Sequence, residues 1–286
     1  MQAIVDTPVR KPALRYHGAK FRLAPWVLQF FPPHATYVEP FGGGAGVLLQ
    51  KPRTYAEVYN DLDGDVVNFF RVLRDPGTRA ALMTRLALTP YARAEFDQAW
   101  VDTDEPVERA RRLAVRSMMG FGSAGATKGS TGFRIDTKRE CSTAQHVWLE
   151  YPDSLAAVGA RFAGVLIENR PALQVMKDHD SEQTLHYLDP PYLHGVRNKG
   201  AQRGRYYKHE MSDGDHMALL AAAQSLGGMV IVSGYDSALY RDTLADWECH
   251  RTSARISAVR GTALRQECLW MSPSCSAALK AQRALF

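Results

Sequence analysis

The stretch Tyr37-Val38-Glu39-Pro40-Phe41-Gly42-Gly43-Gly44-Ala45-Gly46, running on into Val47, Leu48 and Leu49, decides the fold. A short apolar strand, a tight glycine turn and a helix fit this order. Glycines at the turn let a ligand approach backbone that any Cβ would obstruct. The run is not a phosphate-binding P-loop, because no Gly-Lys-Ser/Thr follows, and it is not the full dinucleotide fingerprint. Glu39 at the strand end discourages a polyphosphate and is placed to accept from an ammonium group. A purely structural turn explains the glycines about as readily, so the flanking sequence has to decide.

Downstream, Tyr55 to Tyr59 reads as a second strand, ending in Asn60-Asp61-Leu62-Asp63. An acidic side chain at the end of a second parallel strand is placed to hold ribose hydroxyls. Asp61 is the candidate for that role, and Asp63 the cap of a helix through Val66, Val67, Phe69 and Phe70. Upstream, Arg15-Tyr16-His17-Gly18-Ala19-Lys20 precedes a helix expected over Leu23 to Phe31. Its glycine, aromatic and cationic groups suit a loop at the edge of a cofactor pocket.

The second informative stretch is Asp189-Pro190-Pro191-Tyr192, after the apolar run Leu185-His186-Tyr187-Leu188. An amino group conjugated to a purine or pyrimidine is a poor nucleophile, because its lone pair is delocalised into the ring. It needs acceptors for its hydrogens and a surface that holds the base. Asp189 and the Pro190 carbonyl can accept those hydrogens, the two prolines fix the backbone, and Tyr192 offers a ring for stacking.

Four segments occur in one order: Tyr16 to Lys20, Glu39 to Gly46, Asn60 to Asp63, and Asp189 to Tyr192. In this combination the chain resembles the adenine-specific DNA methyltransferases of the bacterial and phage DNA-adenine-methylase (D12) family. The likeness extends over most of the chain and is weakest in the middle. It implies an α/β fold, an S-adenosyl-L-methionine-dependent methyltransferase with a Rossmann-like, mostly parallel sheet between helices. It also implies transfer of a methyl group to adenine N6 in double-stranded DNA. Carried over, Tyr16 and Lys20 lie near the methionine end of the cofactor, with Glu39, Phe41, Gly42, Gly43, Gly44 and Gly46 beneath it. Asp61 takes the ribose, and Asp189, Pro190, Pro191 and Tyr192 receive the target adenine. Family members typically carry an aspartate near the position of Pro171 that faces the cofactor adenine. Pro171 has no such side chain, and Asn169 is the substitute.

The resemblance also implies an inserted target-recognition region, residues 84–162, between catalytic segments 1–83 and 163–286. Within it, Leu113 to Met119 reads as helix. The Gly120 to Arg134 stretch is rich in glycine and small polar residues, as loops are. Lys128, Arg134, Lys138 and Arg139 can track phosphates there, and a polar group can read a base edge. A second polar loop, Leu193 to Lys208, adds Arg197, Lys199 and Arg203. Its Tyr206 or Tyr207 can close over an extruded base or fill the vacated stack. Either tyrosine serves equally well as a packing residue. Further on, Asp213 to Ser225 reads as helix, Met229 to Gly234 as a buried strand, and Glu267 to Met271 as strand-like.

The formal charge of +5, from 35 basic and 30 acidic residues, permits nucleic-acid binding without demonstrating it. The basic clusters, including Arg109, Arg111, Arg112 and Arg116, read either as solvated surface or as DNA contacts. The four cysteines are scattered, as expected of reduced thiols in a cytoplasmic protein, and give no zinc-ligand spacing. No metal, signal peptide or membrane segment is expected. Two other activities fit the motifs: methylation of cytosine N4, and DNA binding by a catalytically inactive protein of this fold. No feature decides between a monomer and a weak dimer.

Overall fold

The computed structural model describes residues 8–123, 125–126, 131–135, 143–193, 207–258 and 261–284. Its centre is a seven-stranded sheet whose first strands are β1 (Thr36–Glu39), β2 (Ala56–Asn60), β3 (Leu166–Glu168) and β4 (Thr184–Leu188). They are completed by β5 (Met229–Tyr235), β6 (Glu248–Ala258) and β7 (Gly261–Met271). The spatial order is β3-β2-β1-β4-β5-β7-β6. The first five strands are parallel, and β7 pairs antiparallel with both β5 and β6. This is the mixed α/β, Rossmann-like architecture that the sequence leads one to expect. The order reverses between β1 and β4, and ligands of such sheets gather at the carboxyl ends beside that switch.

Alternation along the strands gives the sheet two apolar faces. Tyr37, Tyr59, Leu185, Tyr187, Ile231, Leu269 and Met271 share one cluster. Against it pack α2 (Gly64–Arg74), α5 (Pro106–Met119), α6 (Ala144–Phe162) and α10 (Pro273–Arg283). Leu188, Val230, Val232, Cys268 and Trp270 face the other way. There they meet α8 (Asp213–Ser225) and α9 (Ala238–Thr243), while α7 (Ala172–Asp178) contributes Met176. A buried ion cluster lies under the first face: the Arg161 guanidinium donates to both Glu57 oxygens at 2.6 and 2.8 Å, and Lys51 Nζ lies 3.1 Å from Oε1.

Between β2 and β3 the chain is helical, with α2 followed by α3 (Pro76–Leu88), α4 (Arg93–Gln98), α5 and α6. The expected boundary after residue 83 thus falls inside α3. Helix α2 begins where expected, with Asp63 Oδ1 accepting from the Asp65 backbone at 3.0 Å. Two expectations change. Leu23 to Phe31 is not one helix but a short α1 (Ala24–Val27) followed by a 3₁₀ turn, Leu28–Phe30. The segment after the glycine loop makes turns instead of a helix. Pro52 follows within a few residues and disfavours helical backbone at Lys51.

The α5 arginines also depart from a phosphate-binding surface. Arg109 and Arg116 pair with Asp65 at 2.6 and 3.4 Å. Arg111 pairs with Glu95 and Glu108, and Arg112 with Glu108. The guanidiniums of Arg109, Arg111 and Arg116 thus join α5 to α2 and α4.

Candidate active site

The carboxyl ends of β1, β2 and β4 open into one pocket. Its wall includes Tyr16, Lys20, Glu39, Phe41 and Asp61, the glycines Gly42, Gly43, Gly44 and Gly46, and Asp189 and Pro191. Most of the cofactor and catalytic residues expected from sequence are therefore brought together. Three are not on that wall. Pro190 and Tyr192 are buried and adjoin it through Asp189 and Pro191 in sequence. Asn169 donates its amide to the Asp61 carbonyl at 2.7 Å, so it supports the pocket floor instead of lining it.

Glu39 is 3% exposed, and burial pushes its carboxyl up to about 8. Its Oε2 accepts from the Tyr37 hydroxyl at 2.8 Å and the Leu48 backbone at 3.1 Å. Asp61 closes the glycine loop: Oδ2 accepts from the Gly43 backbone and Oδ1 from the Asp63 backbone, each at 2.8 Å. Burial raises Asp61 to about 6, against the lowering effect of those two bonds. The Tyr59 hydroxyl donates to the Gly43 carbonyl at 2.7 Å.

The glycines serve a purpose beyond ligand approach. A Cβ on Gly46 would lie 2.6 Å from the Phe21 backbone nitrogen and 3.0 Å from that of Lys20. A Cβ on Gly42 would enter the Tyr59 ring. The loop is small so that the Tyr16 to Phe21 segment can lie against it. Gly18, at φ 78°, leaves room for the Tyr207 hydroxyl, and the Tyr207 ring meets His17 edge-on at 5.2 Å.

At the catalytic motif, Lys20 Nζ lies 3.0 Å from Asp189 Oδ1 and 4.7 Å from the Tyr192 ring centre. Burial raises Asp189 to about 6 even though Lys20 pulls it down. Tyr192 is held by a hydroxyl bond to Glu267 Oε2 at 2.8 Å and by Tyr235 edge-on at 4.4 Å.

Sequence reasoning passed over Glu267. Its signal was a charge on the inward phase of a strand that is otherwise apolar to Met271. It also passed over the segment after Tyr207, in which Lys208, His209, Glu210 and Met211 complete the pocket wall. Lys208 Nζ crosses to Asp63 at 2.9 Å and Asp65 at 3.3 Å.

Of the expected DNA contacts, Arg134 and Tyr207 are described; Lys128, Lys138, Arg139, Arg197, Lys199, Arg203 and Tyr206 lie outside the described residues. The root of the middle loop is a two-stranded pairing. Gly120 bridges Phe133, and the Arg134 backbone donates to the Met119 carbonyl. Phe121 and Ile135 project there, 71% and 66% exposed. The root adjoins the pocket rim through His17 Nδ1 and Ser123 Oγ, 3.3 Å apart. Among the described residues no cluster of His, Cys, Asp and Glu could hold a metal ion, and no helix is long and apolar enough to cross a membrane.

No curated protein sequence matches the chain. Among solved structures it is similar to a precorrin 8w decarboxylase of Methanobacterium thermoautotrophicum, at 10% identity over 88% of this chain and 89% of that one. The TM-score of 0.33 is too low for that likeness to carry an argument. The model of one enzyme family, the D12 class N6 adenine-specific DNA methyltransferases, matches residues 16–258. With most of the chain covered, and the sheet and pocket arranged as described, this protein belongs to the D12 class N6 adenine-specific DNA methyltransferase family.

Proposed function

We propose that the protein transfers a methyl group from S-adenosyl-L-methionine to N6 of adenine at a specific site in double-stranded DNA. The observation that carries this reading is the convergence of Glu39, the glycine loop, Asp61 and Asp189 on one pocket beside the sheet's switch point.

The pocket fits a cofactor with an amino acid at one end and a nucleoside at the other. Glu39 is a buried carboxylate lacking a cationic partner among the described residues, and an ammonium group beside it offsets its desolvation. Asp61 uses one lone pair of each oxygen on backbone N–H groups, which leaves acceptor capacity for ribose hydroxyls. Tyr16 and Lys20 bound the methionine end, and Phe41 with Gly42, Gly43, Gly44 and Gly46 forms the floor. Bound there, S-adenosyl-L-methionine supplies an electrophilic methyl group.

The protein's own part is orientation and electrostatics. Asp189 and the Pro190 carbonyl accept from the exocyclic amino group, and Pro191 and Tyr192 hold the base. Asp189 need not take a proton before attack: its charge stabilises the positive charge that develops on N6, and the proton passes later to water. Methylation within a duplex requires the adenine to leave the stack. The root of the middle loop supports this step, since exposed Phe121 and Ile135 are side chains of the kind that wedge between base pairs. In this reading residues 84–162 recognise the target, with Lys128, Arg134, Lys138 and Arg139 along the phosphates. Arg197, Lys199, Arg203, Tyr206 and Tyr207 serve the second loop, and residues 1–83 and 163–286 carry out the transfer.

The test follows labelled methyl transfer from S-adenosyl-L-methionine to unmethylated genomic DNA, with nucleoside analysis, for the parent and Asp189→Ala. N6-methyladenine from the parent alone is the expected result. Label in N4-methylcytosine, or none in DNA from a folded, cofactor-binding parent, overturns the assignment.

A further inference from the structure

Glu267 is a buried charge beside the catalytic motif that the reaction as described leaves unused. It lies on β7, a strand that otherwise enters the core: Cys268, Leu269, Trp270 and Met271 are at most 1% exposed. Glu267 itself is 5% exposed, and among the described residues it forms no ion pair within 4 Å with an arginine or lysine. A carboxylate in such a place carries a desolvation penalty. An apolar residue or a glutamine would fill the strand position with less penalty, so packing alone does not account for it.

Register shows what the charge faces. Glu267 pairs with Tyr235 of β5, and β5 runs beside β4, with Leu188 opposite Val232. Side chains alternate, so Tyr187 and Asp189 on one strand share a face with Ile231, Ser233 and Tyr235 on the next, and with Glu267 beyond them. Glu39 of β1 comes to the same side, because Tyr37 pairs with Leu185. A row of polar groups thus crosses the sheet above the apolar layer of Tyr37, Tyr187, Ile231 and Leu269. Tyr192 spans the row: Lys20 stands over its ring, Tyr235 meets it edge-on, and its hydroxyl donates to Glu267.

We propose that Glu267 is a positioning residue for methyl transfer, holding Tyr192 by its hydroxyl and so setting the ring against which the target adenine is placed. This rests on the reading under Proposed function. A phenol without that bond can turn or slide along its own plane, and small misplacements of a reacting base are costly in rate. The carboxylate also acts through space. Asp189 is faced by Lys20, Glu39, Glu267, Tyr187 and Tyr192, and of these the Glu267 charge opposes its ionisation while Lys20 favours it.

The experiment uses the full chain, with single-turnover methyl transfer to unmethylated genomic DNA and separately measured affinity for S-adenosyl-L-methionine. The proteins are the parent, Glu267→Leu, Glu267→Gln, Tyr192→Phe and the Tyr192→Phe/Glu267→Leu pair. Glu267→Leu is expected to slow transfer by about 10- to 100-fold, the range for losing a hydrogen bond to a charged group. Cofactor affinity should stay within about twofold, since the change acts on the step and not on cofactor binding. Glu267→Gln, whose amide oxygen still accepts from Tyr192, should recover part of the rate. Both variants should move the acidic limb of the rate profile to lower pH. The double variant should be no slower than the slower single one, because both remove the same bond. Parental rates in Glu267→Leu, or losses that multiply in the pair, overturn the proposal and leave the activity standing. A loss that only tracks a fall in melting temperature, with no movement of the acidic limb, also overturns it. A parent that methylates no DNA overturns the activity and the proposal together.

Discussion

Lys20 Nζ and Asp189 Oδ1 are 3.0 Å apart, and the same ammonium stands 4.7 Å from the centre of the Tyr192 ring. The lysine thus occupies the carboxylate and the aromatic face that, in the proposed reaction, receive the amino group and the ring of the target base. On that reading, entry of the base requires Lys20 to shift, and Asp189 exchanges a cation for a neutral donor.

This pairing gives a pH prediction with a defined sign. Burial raises Asp189 to about 6, and Lys20 is the strongest of the groups holding it down, ahead of Tyr192. Lys20→Met removes that attraction, so the carboxyl rises further and the acidic limb of kcat/KM moves to higher pH. Rate profiles of parent and variant check this, and an unmoved limb would show that Asp189 does not govern it.

Glu39 predicts proton release on cofactor binding. Its carboxyl is raised to about 8 by burial, so below that pH it is mostly protonated before an ammonium group arrives. Binding the cation favours the ionised form and expels the proton. Affinity for S-adenosyl-L-methionine should therefore rise with pH toward about 8, above which the cofactor's own ammonium loses its proton. Calorimetry in buffers of different ionisation enthalpy measures the release, and Glu39→Gln should abolish it.

The glycine loop predicts a contrast between neighbours. Gly46→Ala drives a methyl group into the Phe21 and Lys20 backbone at 2.6 and 3.0 Å. It should destabilise the fold by about 1–3 kcal/mol, as overpacking does, and weaken cofactor binding. Gly44→Ala meets side-chain atoms alone, Tyr16 Cβ at 3.1 Å and Ala19 Cβ at 3.5 Å, and should cost less. Equal melting temperatures for the two variants would contradict the packing argument.

The Lys51–Glu57–Arg161 cluster predicts a stability change remote from the pocket. Glu57→Gln leaves two sheltered cations without their carboxylate and should cost about 3–5 kcal/mol. Burial alone would raise Glu57, but Arg161 and Lys51 more than offset it and its carboxyl is lowered. A lowered carboxyl stabilises the fold above its unfolded pKa, and the contribution is lost as pH falls through the folded value. Denaturant titrations at neutral and acidic pH should show the gap between parent and variant closing in acid.

The glycine loop, the acidic end of β2 and the Asp189 motif were legible because each is a local signal: a turn, a cap, a rigid dipeptide. The sheet followed from their order together with the apolar strands. What was not legible depends on partners distant in sequence. The α5 arginines read either as solvated surface or as DNA contacts, yet Asp65, Glu95 and Glu108 pair with them, and no spacing rule pairs Arg109 with a residue on another helix. Asn169 is in the right neighbourhood but turned to the Asp61 carbonyl, a matter of side-chain direction. Glu267 lies 75 residues from its tyrosine, and the register of an antiparallel strand at the far end of the chain brings the two together.

Helix α5 has its feet in the core and its far end at the loops. Ala110, Leu113, Ala114 and Met119 are buried among the residues that also support the sheet, while Phe121, two positions beyond the helix, stands in solvent. Mutations at exposed Phe121 or Ile135 therefore leave the apolar layer under the sheet untouched, whereas mutations at the buried α5 positions disturb that layer. If residues 84–162 recognise the target as proposed, such an enzyme changes what it recognises by exchanging a tip while the stem stays constant. A lineage under pressure to mark new sites then has that route open without refolding its catalyst.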